Sequence, residues 1–104
     1  MKIAVSSEDG KEDSEVCPVT GRAPTYIIFE DGVVSKVMKN PFAVGGGGAS
    51  YGVIQMLSNE GVDMIISGKF GENMLRSLEE KGIKYLSVFG KSAKEAVQSA
   101  LSSK

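Results

Sequence analysis

From residue 49 onward, helical stretches alternate with short apolar runs, and this alternation limits the fold more than any other feature of the chain. Ala49 to Leu57 places apolar side chains at 53, 54, 56 and 57, the spacing of an amphipathic helix, and Gly61 is placed to end it. Val62-Asp63-Met64-Ile65-Ile66-Ser67 reads as a buried strand, and Gly68-Lys69-Phe70-Gly71 as a turn. Glu72 to Lys81 carries Met74, Leu75 and Leu78 on one helical face and stops at Gly82, and Ile83 to Val88 is the next strand. Ser92-Ala93-Lys94-Glu95 is a capping-box pattern opening a last helix with Ala93, Ala96, Val97, Ala100 and Leu101 in register. Such alternation implies parallel strands joined by right-handed crossovers.

The first half has a different texture. Lys2 to Ser6 reads as a strand, followed by a polar, mobile-looking loop from Ser7 to Glu15. The β-rich runs Tyr26–Glu30 and Val33–Lys39 are separated by Asp31-Gly32, a strong type I′ hairpin signal, and Asn40-Pro41 ends the pairing. The expected order is therefore β-β-β-α-β-α-β-α around a mixed five-stranded sheet, an α/β fold. The 104 residues are expected to form one domain, 1–104. In such sheets ligands bind outside the carboxyl ends of the parallel strands. The loop after Ser6, the turn Gly68–Gly71 and Gly90-Lys91 should meet there.

Residue types exclude much chemistry. There is no histidine, so no imidazole base, no Ser-His-Asp triad and no His-containing metal site can be built from this chain. The one cysteine, Cys17, cannot form an internal disulfide, cycle as a dithiol or by itself hold a cluster through several thiolates, and it suits a cytoplasmic setting. No carboxylate constellation for two-metal hydrolysis is evident, since Asp63 begins its strand and Asp9 and Asp13 lie in the loop. The chain is therefore not expected to be an enzyme. A net charge of −1 gives no case for nucleic acid or an anionic membrane as partner, and no apolar run is long enough to span a bilayer.

Three segments carry the candidate site. Gly45, Gly46, Gly47 and Gly48 precede the helix at 49. Four glycines lose much conformational freedom on ordering, so the run is either a flexible surface linker or backbone brought close to a ligand. A helix N-terminus behind it suits an anion. Gly68 and Lys69 lie in a second strand-to-helix loop, which is a tight turn when taken alone and a joint pocket beside the glycine run. Known nucleotide patterns fail: a Walker A loop ending at Gly90-Lys91-Ser92 needs glycine where Tyr85 stands, and G-x-G-x-x-G needs it at Ser50 or Tyr51. The third segment, Ser14 to Pro24, is too patterned for a plain link. Arg22 can clamp an anion or make a structural ion pair, and Cys17 can act as a soft-metal ligand or as a small buried filler.

These residues carry a resemblance. The start Lys2–Ser6, Ser14-Glu15-Val16, Gly21-Arg22-Ala23-Pro24, Asn40-Pro41, the glycine run with its helix, Glu60-Gly61-Val62-Asp63, and Ser67-Gly68 to Gly71 with Asn73 occur in the order of the dinitrogenase iron–molybdenum cofactor biosynthesis family, the NifX-like small domains. The chain resembles this family over essentially its whole length. The resemblance implies a ribonuclease-H-like three-layer fold and non-catalytic, reversible carriage of an iron–molybdenum cofactor or another anionic metal–sulfur cluster. Arg22, Lys69 and the glycine loops would hold its charge, with Cys17 as an optional ligand. Cluster donor and acceptor proteins are the implied partners, with the chain a monomer or weak homodimer. A metal-free regulatory or interaction module with the same fold is the alternative. Members commonly show Ser-Pro-His-Phe before Gly-Arg-Ala; this chain has Cys17-Pro18-Val19-Thr20, with Val19 at the histidine position.

Overall fold

The computed structural model describes residues 1–20, 22–43 and 49–102, without the side chains of Ala49 and Ser50. Along the chain run β1 (Lys2–Ser7), β2 (Thr25–Glu30), β3 (Val33–Lys39), α1 (Ala49–Asn59), β4 (Met64–Ser67), α2 (Glu72–Lys81), β5 (Lys84–Ser87) and α3 (Ala93–Ser102). The five strands form one mixed sheet in the order β3-β2-β1-β4-β5. β1 is antiparallel to β2 and parallel to β4, and β4 is parallel to β5.

Both faces of the central strands are covered, which is why they read as continuous apolar runs. Side chains alternate across a strand. Ala4, Tyr26, Ile28 and Ile65 point to one face, where they pack with Val53, Ile54 and Leu57 of α1 and Met74 and Leu78 of α2. Ile3, Val5, Ile27, Phe29 and Ile66 point to the other and pack with Ala93, Ala96 and Val97 of α3. The edge strand β5 is exposed throughout.

The turns follow from local chemistry. Asp31 and Gly32 have φ of 53° and 87°, the paired left-handed geometry of a type I′ turn, and Glu30 faces Val33 across it. Gly61, with φ 78°, follows α1; its N–H bonds to the Ser58 carbonyl, and that of Val62 to the Leu57 carbonyl. Gly82, with φ 68°, ends α2 in the same left-handed region. At α3, the Ser92 N–H donates to Glu95 Oε1 (3.0 Å) and the Glu95 N–H to Ser92 Oγ (3.2 Å), the reciprocal pair of a capping box.

Ser92→Ala should destabilise the protein by about 0.5–2 kcal/mol, measured by thermal unfolding. The bonds from Ser92, its backbone N–H foremost, hold the Glu95 carboxyl below its ordinary 4.5. A carboxyl depressed on folding stabilises above its unfolded value and loses that contribution as pH falls through the folded one. Glu95→Gln lacks that contribution, so the gap between wild type and Glu95→Gln should narrow as pH falls below 4.5.

Candidate functional site

The connection from β1 to β2 begins as a bonded loop. Asp9 Oδ1 accepts the Lys11 N–H (2.9 Å), Asp9 Oδ2 the Ser14 hydroxyl (2.7 Å), and Ser7 Oγ the Gly10 N–H (2.9 Å). Its mobile look in sequence came from polar composition, whereas the Ser and Asp side chains close it on its own backbone. The Ser14 hydroxyl, then the Lys11 N–H, hold the Asp9 carboxyl below its usual range.

Residues 14–20 then cross the carboxyl ends of the strands as a strap. Val16 N–H donates to the Lys91 carbonyl (2.9 Å), and the Ala93 and Lys94 N–H groups donate back to Ser14 and Glu12 (3.0 and 2.9 Å), fastening the strap to the start of α3. Cys17 N–H reaches the Ser6 carbonyl at the end of β1 (3.0 Å). Past β4, the Gly68 and Lys69 N–H groups donate to Cys17 and Pro18 (3.0 and 2.7 Å). Thr20 Oγ1 donates to the Lys69 carbonyl (2.7 Å), and the Ala23 N–H closes a turn onto the Thr20 carbonyl (2.7 Å). Asn40, just after β3, binds the Ala23 and Pro24 carbonyls through its side-chain and backbone N–H groups (2.8 Å each).

Cys17, Arg22, Gly68 and Lys69 thus meet at one edge of the sheet. Arg22 sits inside the turn that Thr20 ties to Lys69, and both cationic residues are exposed. Gly45, Gly46, Gly47 and Gly48, and also Gly21, lie outside the described residues. The described chain reaches Ala43 and resumes in α1. Since β3 ends level with the carboxyl end of β1 and β4 starts at its amino end, α1 begins at the strap edge. The helices α2 and α3 also follow strand ends there, so three helix N-termini face the same edge, with their positive dipole ends.

Beneath the strap lies a polar layer. The Ser6 and Ser67 hydroxyls are 2.7 Å apart and lie 3.3 and 3.4 Å from the Cys17 carbonyl oxygen, all within the buried interior. Cys17 itself is 2 % exposed, and burial pushes its thiol up, which disfavours the thiolate that a metal requires. Tyr26 belongs to the same buried cluster and is fully covered. Among the described residues its hydroxyl has no hydrogen-bond partner. Sequence reasoning missed Tyr26, Ser6, Ser67 and Thr20. A tyrosine inside the run Tyr26-Ile27-Ile28-Phe29 was the available signal, because phenylalanine would pack there without a polar atom to satisfy.

No group of three or more His, Cys, Asp and Glu side chains gathers among the described residues. Asp63 accepts the Lys2 N–H (2.8 Å) at the opposite, amino edge, where a shallow depression of about 410 Å³ lies between residues 61–63 and 82–84. The donors at the strap edge are therefore amides, hydroxyls and exposed cations, Arg22 and Lys69 among them.

Gly68 has no room for a side chain, since a Cβ there would fall 2.5–2.7 Å from the Pro18 backbone. Gly68→Ala should push the strap off β4 and cost roughly 1–3 kcal/mol in urea unfolding. The Gly68 and Lys69 amides should lose hydrogen-exchange protection first.

Comparison with known proteins agrees with this architecture. The apo form of the orange protein from Desulfovibrio gigas superposes with a TM-score of 0.89 at 26% identity, over 96% of this chain and 86% of that one. A Thermotoga protein provisionally described as NifB, and placed in the DUF35 family, gives 0.82 at 27% identity, over 98% of this chain and 88% of that one. No curated protein matches the sequence. The family model described as dinitrogenase iron-molybdenum cofactor matches residues 1–103. The chain belongs to the dinitrogenase iron–molybdenum cofactor family.

Proposed function

We propose that this chain is a non-catalytic carrier that takes up and releases a small anionic metal–sulfur cluster, an iron–molybdenum cofactor or a related species, at the strap edge of its sheet. The observation that carries the reading is the strap itself. It fixes Arg22 and Lys69 where three helices begin, so two cations and three helix N-termini gather at one place. The family is associated with cofactor biosynthesis, and a relative named for a colour and solved in its apo form fits a protein that is loaded and emptied. The donor set suits cargo: amides and cations hold an anion without the committed bonds that slow release. On this reading Gly45–Gly48 complete the rim, and Cys17 is an optional ligand that must first lose its proton.

The strand order 3-2-1-4-5 with an antiparallel second strand supports a ribonuclease-H-like assignment of the fold. The partners are proteins that donate and accept the cluster, and the chain acts as one cytoplasmic domain, a monomer or weak homodimer.

A second reading, a metal-free interaction module, draws on β5. This edge strand exposes Tyr85 and Leu86, and Phe89 beyond it is 66% exposed.

Anaerobic titration of the protein with isolated iron–molybdenum cofactor, followed by absorbance, separates the two readings. The carrier reading expects saturable binding that weakens with salt. Arg22→Ala and Lys69→Ala should each weaken it by roughly 1–3 kcal/mol, or about five- to a hundred-fold in Kd. Cys17→Ser should stay near wild type at neutral pH, because burial keeps the thiol protonated. Val19 is 44% exposed and bridges to Lys69, so Val19→His, which restores the family's imidazole, should tighten binding. Absence of saturable binding, or indifference to both cation variants, leaves the interaction module as the better reading.

A further inference from the structure

Tyr26 stands out because its cost to the empty protein has no return within the fold. It is the second residue of β2, level with Ser6 near the strap edge, and faces the α1/α2 side with Ala4 and Ile28. The side chain is fully buried, yet among the described residues the hydroxyl neither donates nor accepts. Buried polar groups are rarely left so, and a hydroxyl without a partner costs more than the phenyl ring that could replace it. The neighbouring hydroxyls do not suffer this fate, since Ser6 and Ser67 bond each other and the Cys17 carbonyl. Burial, with the neighbouring Cys17 as a lesser cause, pushes the phenol's titration far up, so it stays a neutral O–H donor.

We propose that the Tyr26 hydroxyl is a specificity-determining donor, held unpartnered under the strap so that it can donate to an acceptor atom of a bound metal–sulfur anion. This inference rests on the carrier reading and adds to it the group that senses the cargo's acceptor atoms. Arg22 and Lys69 answer to charge alone, and any small anion satisfies them. A neutral phenol in a water-excluded layer adds no charge. It rewards only an anion that presents a sulfide or oxo atom to that point, and it does so in surroundings where a hydrogen bond is stronger than in water. Ser6 faces Tyr26 across the β1–β2 pair, and Cys17 packs in the same buried cluster as the tyrosine.

The test uses tetrathiomolybdate, a coloured sulfur-rich dianion, titrated anaerobically into wild type, Tyr26→Phe and Arg22→Ala, with a thermal melt of each empty protein. Tyr26→Phe is expected to raise Tm by about 4 °C or more, as the unpartnered hydroxyl is removed, and to weaken binding about tenfold. Equal binding by wild type and Tyr26→Phe, whatever the melt shows, overturns the inference while the carrier reading stands. A fall in Tm for Tyr26→Phe also overturns it, because the hydroxyl then has a partner in the empty fold. No saturable binding to wild type removes the inference together with the carrier reading for this anion. Should Tyr26→Phe fail to fold, ring-labelled wild-type protein replaces it: a shift of the Tyr26 ring signals on adding tetrathiomolybdate supports the role, and unmoved signals overturn it.

Discussion

Every strand of a sheet ends in backbone groups that need partners, and here the strap 14–20 supplies them for the two central strands at once. The Ser6 carbonyl at the end of β1 takes the Cys17 N–H, and the two amides past β4 find the carbonyls of Cys17 and Pro18. Without the strap these groups would lie beside buried Ser6 and Ser67 with no partner, a penalty of about 1–3 kcal/mol for each group left unpaired in the interior. That is a large fraction of the stability of a small protein. The placement of Arg22, Lys69 and the polar layer all follows from this closure.

Much of the fold was legible because its signals are local. Asp31-Gly32 asks for two left-handed residues, and only a tight hairpin uses them in that way. Gly61, Gly82 and the Ser92–Glu95 pair stop and start helices through bonds within a few residues of themselves. The carboxyl edge was legible too, from the rule that parallel strands deliver their loops to one end.

What was illegible depends on pairs far apart in the chain. Nothing in Thr20 announces a bond to Lys69, 49 positions away, and nothing in Ser6 announces Ser67. The strap read as a long patterned loop because its partners are backbone atoms, which have no letter in a sequence. Asp9 misled for the opposite reason. Its polar neighbours suggested motion, and the same polarity closes the loop. Tyr26 read as one more β-former, since only the packed interior reveals that its hydroxyl is stranded.

The strap is bonded on both sides, to the ends of β1 and β4 and, through Glu12, Ser14 and Val16, to residues 91–94 where α3 begins. A peptide stitched in this manner cannot lift at one seam without straining the other. Peeling it from β4 loads the first turn of α3, whose alanines pack on the far face of the sheet. The strap thus ties the ends of the central strands to the start of α3 by main-chain bonds. A tug at the edge holding Arg22 is carried, through bonds of main chain alone, to the start of the helix on the reverse face.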